Sequence, residues 1–190
     1  YLKQTHLSAA GFYRTPDIWF DRPKGVGKPF HYYTYGMSVS EVEVNLLTGR
    51  VKLLRADVVE DAGTSINPMI DKGQVIGGFV QGLGWVTTEN LKWNHDGKLL
   101  NASPDTYKIP TITDVPVEMN IELLENANND NTIRGSKAVG EPPFPLAISV
   151  WLAIKYAIAS VGNHDTEPAL DIPATNEEIV LSVQQMKSGL

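Results

Sequence analysis

Residues 40–59 read Ser40-Glu41-Val42-Glu43-Val44-Asn45-Leu46-Leu47-Thr48-Gly49-Arg50-Val51-Lys52-Leu53-Leu54-Arg55-Ala56-Asp57-Val58-Val59. Val42, Val44 and Leu46 recur at every second position, the period of a strand with one buried face. Thr48-Gly49 interrupts the pattern, and a second apolar run continues through Val58 and Val59. The stretch predicts a long β-hairpin whose first arm extends from His31 to Leu47. A strand buried on one face only needs a second layer, so the rest of the chain must supply helices or another sheet.

Asn67-Pro68 supplies that layer, because Asn is a favoured N-cap and Pro is tolerated at the first helical position. A helix is expected from Met69 to about Trp85. Upstream, residues 5–13 alternate weakly and read as a short strand. Arg14 to Phe30, with three Pro and two Gly, reads as a connecting loop. Downstream come a strand over Thr88–Trp93, a turn at Asp96-Gly97, an irregular segment to Pro116 and a strand over Val117–Leu124. Glu125–Asn131 reads as a polar surface loop. Pro143–Ser160 reads as a nearly all-apolar helix buried on most sides. Thr175 with Glu178 forms a capping box that opens a third helix to Met186. No βαβ rhythm is evident, so the expected class is α+β, with residues 1–190 forming one domain or part of one.

Composition narrows the function. The 190 residues are 42% hydrophobic and 20% charged, with a net charge of −6, which excludes wholesale disorder and disfavours nucleic acid or an anionic membrane as partner. The chain has no cysteine, so no disulfide, zinc ribbon or iron–sulfur cluster is ligated within it. Tyr1 is not an initiator Met and no signal-like segment follows, so a fragment or a piece of a processed polypeptide is expected. The apolar stretch Phe144–Ile154 is broken by Lys155 short of a membrane span, and the expected location is cytoplasmic.

Two segments carry candidate chemistry. The first helix contains Gly73, Gly77, Gly78, Gly82 and Gly84, each about 1 kcal/mol less favourable than Ala in a helix interior. Gly73 with Gly77, and Gly78 with Gly82, form ridges onto which another protein element or a flat cofactor could press. Gln74 and Gln81 lie on nearly one face of the same helix and offer amides to a pterin edge or phosphate, or to neighbouring backbone. The second segment is Ser136-Lys137-Ala138-Val139-Gly140-Glu141-Pro142-Pro143-Phe144. Here one carboxylate sits on a proline-stiffened support before an apolar helix. In an apolar pocket Glu141 would be a competent base near neutral pH; alternatively it complements the positive end of the helix dipole.

Other signals fail. Lys24-Gly25-Val26-Gly27-Lys28 lacks the first Gly and the final Ser or Thr of a phosphate loop, and Gly78–Gly84 does not follow a strand as a dinucleotide fingerprint must. The four His are scattered, so no metal ligand set is assigned. No Gly-x-Ser-x-Gly elbow is present.

A further set of motifs falls in one order: Gly11-Phe12-Tyr13-Arg14-Thr15-Pro16, Phe30-His31-Tyr32-Tyr33-Thr34-Tyr35-Gly36, Ser40-Glu41-Val42-Glu43-Val44, Leu47-Thr48-Gly49, Asn67-Pro68, Ile70-Asp71, Gly73-Gln74, Phe79-Val80-Gln81-Gly82-Leu83-Gly84, Thr106-Tyr107-Lys108-Ile109-Pro110 and Ser136 through Pro143. Over roughly residues 5–185 they closely resemble the C-terminal part of the molybdenum-cofactor subunit of the xanthine dehydrogenase family, bacterial type.

That resemblance implies a molybdenum hydroxylase and part of a larger molybdopterin-binding domain. In the family, the glutamate of Val-Gly-Glu-Pro-Pro acts as general base on the Mo-hydroxyl group, and it matches Glu141. The glutamine of Gly-Gln contacts the pterin, and it matches Gln74. The implied cofactor is molybdenum–molybdopterin, with 2Fe-2S clusters, FAD and NAD on other domains or subunits. The implied substrate is a purine, xanthine or hypoxanthine. The implied partners are the upstream part of the molybdenum subunit and the iron–sulfur and FAD domains, the complete assembly being a dimer. Aldehyde oxidases share much of the pattern but resemble Gly-Glu-Ser-Gly around the glutamate; Glu141-Pro142-Pro143 favours the purine side. A folded, non-catalytic fragment or interaction subunit is the alternative. Family residues that orient the substrate lie upstream and are absent from these 190 residues.

Overall fold

A computed structural model describes residues 6–125 and 131–189. The chain divides after Tyr33 into two units. In the first, β1 (Trp19–Asp21) pairs antiparallel with β2 (Val26–Lys28). Their turn closes where the Gly25 N–H donates to the Arg22 carbonyl at 3.2 Å, with Gly25 at φ +63°. The loop expected over Arg14–Phe30 therefore contains a small hairpin, whose three-residue strands are too short to show a period. The expected strand over residues 5–13 is not found among residues 6–13, all of which are exposed, so nothing covers their weak alternation.

The second unit is built on the sheet β3 (Gly36–Val44), β4 (Val51–Glu60) and β5 (Glu118–Leu123), in the order β3-β4-β5. The hairpin β3–β4 matches expectation, with its turn at residues 45–50. There the Asn45 carboxamide oxygen accepts the Leu47 and Thr48 N–H groups at 3.0 and 3.1 Å. Gly49 adopts φ +68°, and a Cβ there would lie 2.0 Å from the Asn176 carbonyl oxygen, so the turn tip requires glycine twice over. The inner face carries Val42, Val44, Leu53, Ala56, Val58, Met119, Ile121 and Leu123.

Two helices pack on the strands of this sheet, and a third packs on one of those helices. α1 (Pro68–Thr87) starts as expected, with the Asn67 side chain accepting the Ile70 N–H and Pro at the first position. Val75, Phe79 and Leu83, spaced four apart, place one stripe of α1 in the core, joined by Val86. α2 (Ile148–Ala159) follows a 3-10 turn, Phe144–Ala147, and buries Val150, Ile154 and Ile158. Its outer face, Leu152 and Tyr156, is exposed, so burial on most sides does not hold in this chain. The run Phe144–Gly162 is long and apolar enough to cross a membrane by composition, but its stripe of Val150, Ile154 and Ile158 lies in the protein core. α3 (Asn176–Ser188) is capped by Thr175, which accepts the Glu178 N–H. The reciprocal half of the expected capping box is absent: the Glu178 carboxylate takes the Asp171 N–H at 3.4 Å instead.

The class is α+β, with one refinement. β4 and β5 run parallel, so β4, α1 and β5 form a βαβ crossover. The sequence conceals it because a long irregular segment separates α1 from β5. Within that segment the strand expected over Thr88–Trp93 is not formed: Thr88 caps α1, and only a single bridge joins Trp93 to Leu99. The turn at Asp96-Gly97 is present, with Gly97 at φ +76°. Most of the polar loop expected over Glu125–Asn131 lies outside the described residues.

Candidate active site

The glycine-rich helix has two kinds of glycine, and the difference decides what each ridge is for. A Cβ built on Gly82 would lie 2.1 Å from the Phe144 carbonyl oxygen and 2.8 Å from the Ala147 Cβ. One built on Gly78 would lie 3.0 Å from the Gly140 oxygen and 3.3 Å from the Pro143 Cβ. This ridge is therefore a protein-packing surface: it brings the backbone of residues 140–147 against α1. Pro143 is fully buried there, and the Trp85 and Phe144 rings stack at 5.3 Å. Gly73 and Gly77 differ, since nothing lies within 4 Å of a Cβ at either. Their ridge faces open space.

Gln74 approaches the residue before Glu141 beside this open ridge. A Cβ on Gly140 would sit 3.4 Å from the Gln74 side-chain oxygen, so the amide reaches the backbone of the residue preceding Glu141. Positions this distant in sequence are neighbours only because Gly78 and Gly82 let the loop settle onto α1. Both side chains are exposed. The apolar enclosure expected around Glu141 is not provided by the described residues. The dipole alternative keeps its basis, because the 3-10 turn Phe144–Ala147 runs directly into α2 and its positive end lies within about one turn of Glu141. The Glu141 carbonyl accepts the Phe144 N–H at 3.0 Å, fixing a tight turn at the buried proline.

The other end of the loop is clamped to the end of β4. The Lys137 N–H donates to the Ala62 carbonyl and the Thr64 N–H to the Gly135 carbonyl, each at 2.9 Å. Gly63 adopts φ +61° and bridges to Ser136. Lys137 forms an ion pair with Asp61, their side chains only 9% and 4% exposed. Burying an isolated charge is prohibitive, whereas a paired lysine and carboxylate can be accommodated. The Ser38 hydroxyl donates to the Leu146 carbonyl at 2.5 Å, and the Ser40 and Ser149 hydroxyls share a bond of 2.8 Å. Glu141 thus projects from a loop held at both ends, although it is itself exposed.

Sequence reading overlooked Glu60. Ala56, Val58 and Glu60 alternate onto the core face of β4, so the last inward position holds a carboxyl group. Glu60 is 1% exposed and neither carboxyl oxygen has a hydrogen-bond partner. Burial, reinforced by the neighbouring Asp61, pushes it up to about 7. The strand period that predicted the hairpin already contained this signal. A cavity of about 690 Å³ lies elsewhere, between the end of β3, the start of β4, the end of α1 and residues 108–117; neither Gln74 nor Glu141 lines it.

Comparison with known proteins identifies the family. The family model of the molybdopterin cofactor-binding domain matches residues 1–116, more than half of the chain and including Gln74. The chain belongs to the molybdopterin cofactor-binding domain family. Over 94% of its length it is 48% identical to a xanthine dehydrogenase of Oryza sativa subsp. japonica, covering 14% of that protein. Over 91% it is 50% identical to a xanthine dehydrogenase/oxidase of Gallus gallus and 48% identical to aldehyde oxidase 2 of Macaca fascicularis, covering 13% of each. Quinoline 2-oxidoreductase from Pseudomonas putida 86 superposes with a TM-score of 0.68 at 32% identity, over 76% of this chain and 18% of that one. This molybdopterin-binding chain therefore spans about a seventh of the curated relatives it matches.

The residues present fit such a cofactor. Gln74 offers an amide with no hydrogen bond among the described residues, next to a helix ridge that two glycines keep bare. A broad planar group can approach such a backbone, with the amide setting its orientation.

Proposed function

We propose that this chain is the part of a molybdenum hydroxylase that supplies the general base, Glu141, and a pterin contact, Gln74. The single observation that supports this most is the approach of the Gln74 amide to Gly140, the residue before Glu141, beside the open Gly73–Gly77 ridge. When bound, the molybdenum–pterin group supplies two-electron redox chemistry and the oxygen transferred to the substrate. The chain's own contribution is positional and acid–base. Gln74 would donate and accept hydrogen bonds at the pterin edge, and Gly73 and Gly77 would admit it closely. Glu141, on its braced loop, would accept at a carboxylate oxygen the proton released as the transferred oxygen becomes nucleophilic. A positioned base of this kind contributes about 10²–10⁴-fold.

The proposed substrate is a purine, xanthine or hypoxanthine, oxidised at carbon. Overall identity does not separate purine from aldehyde oxidation, since the aldehyde oxidase is as similar as the rice enzyme. Glu141-Pro142-Pro143 supports the purine reading. Iron–sulfur clusters belong on other domains, because no cysteine is available here to ligate one, and the family resemblance places FAD and NAD there as well. The test is purification of the assembly containing this chain, followed by molybdenum analysis and comparison of purine with aldehyde oxidation. Molybdenum-loaded material with a preference for xanthine or hypoxanthine supports the proposal. Loaded material that oxidises only aldehydes overturns the purine assignment.

A further inference from the structure

Glu60 occupies a position where every feature of the fold opposes a charge. From β3 it meets Gly36, where a Cβ would come within 2.5 Å of its carboxyl oxygen; from the 3-10 turn, Leu146; in register on β5, Leu123. None of these titrates or donates a side-chain hydrogen bond. Asp61 is the charged neighbour that acts on it. Asp61 is itself committed to Lys137, whose ammonium also lies 5.6 Å from the Tyr35 ring centre. Glu60 is enclosed by this chain alone, at 1% exposure, so no cation from another domain can reach it without opening the structure. Among the described residues the lysine paired at this site is Lys137, and it is committed to Asp61.

We propose that Glu60 is a positioning residue for the loop carrying Glu141: its proton keeps a second negative charge away from the Asp61–Lys137 clamp, and loss of that proton loosens the clamp. The inference rests on the assignment of Glu141 as base only for its catalytic consequence. The structural consequence stands on Glu60, Asp61 and Lys137. Asp61 and Lys137 hold residues 135–137 against residues 61–64, and Leu146, which packs by Glu60, is tied to Ser38 beyond the loop's other end. Ionisation of Glu60 thus acts on both anchors of the segment. A group protonated in the closed loop and ionised once opened makes opening easier as pH rises. The effect is roughly tenfold per pH unit between about pH 5 and 7, flattening above the closed-state value.

The test is amide hydrogen exchange on the complete molybdenum-loaded assembly, corrected for the intrinsic pH dependence of exchange. Expected in the native protein is a fall of one to two orders of magnitude in protection of the Lys137 and Thr64 amides, which bond across the clamp, between about pH 5 and 8. Glu60→Gln, a neutral isostere, flattens that fall, and Glu60→Met repeats the result with an apolar chain should the amide impair folding. On the same samples, the alkaline limb of the turnover profile shifts upward by about one pH unit in Glu60→Gln. Exchange of the native protein and both variants that superimposes across pH overturns the proposal. A flattened exchange profile together with undiminished turnover of Glu141→Gln sinks the assignment of the base and leaves the role of Glu60 standing.

Discussion

Alanine substitution at Gly77 and at Gly82 separates the two functions of α1. Gly77 is an exposed helix-interior glycine, and a methyl group added there would find nothing within 4 Å. Alanine at this position should gain about 1 kcal/mol of helix propensity in the cofactor-free protein, or about 2–4 °C in the melting of a domain of this size. Gly82 allows no such gain. A methyl group 2.1 Å from the Phe144 carbonyl oxygen and 2.8 Å from the Ala147 Cβ forces α1 and the 3-10 turn apart. Overpacking of this kind costs about 1–3 kcal/mol, and here it also displaces the loop bearing Glu141. The assay pairs thermal unfolding of cofactor-free material with molybdenum content per subunit. Gly77→Ala should be more stable and hold less molybdenum; Gly82→Ala should be less stable and hold less molybdenum. A Gly77→Ala protein with stability raised and molybdenum undiminished would refute the placement of the cofactor against the open ridge.

Further outcomes follow from the clamp and the sheet. Lys137→Met leaves Asp61 buried without its cation and should cost about 3–5 kcal/mol, read as lost exchange protection across residues 60–64. Glu60 is held at about 7 when folded against an ordinary 4.5, so the stability its proton contributes is complete below about pH 4.5 and gone once pH has risen through about 7. The difference corresponds to about 3 kcal/mol, so Glu60→Gln should stabilise the protein at pH 8 and change little at pH 4, by chemical denaturation at both pH values. Gly49→Ala should weaken the packing of the β3–β4 turn on α3 and lower the melting temperature, because its methyl group would fall 2.0 Å from the Asn176 carbonyl oxygen.

The parts of the fold with strong local signals were legible in sequence. Alternating valines marked the hairpin, Asn67-Pro68 marked the start of α1, and Thr175 marked that of α3, because these signals act within a few residues. What depended on distant partners was not. The parallel pairing of β4 with β5 is hidden behind a long irregular segment, and the strand expected over residues 5–13 is not formed in its described part, residues 6–13, whose alternation has no covering layer among the described residues. The candidate site divides the same way. Glu141 and Gln74 could be singled out by composition and resemblance, but the approach of Gln74 to Gly140 depends on Gly78 and Gly82 receiving the 140–147 backbone. The split of the glycines into a packed ridge and an open one is invisible in a helix whose glycines all look alike. Glu60 is the opposite case: it stood in plain view as the third member of the Ala56, Val58 alternation, a carboxyl on an apolar face.

The most direct measurement of the central claim is single-turnover reduction of the molybdenum-loaded assembly by xanthine, comparing Glu141 with Glu141→Gln at matched molybdenum content. The amide keeps the size and the loop but cannot accept the proton, so the rate should fall by about 10²–10⁴-fold with molybdenum content unchanged. An equal rate in the two proteins would contradict the role of Glu141 as the base.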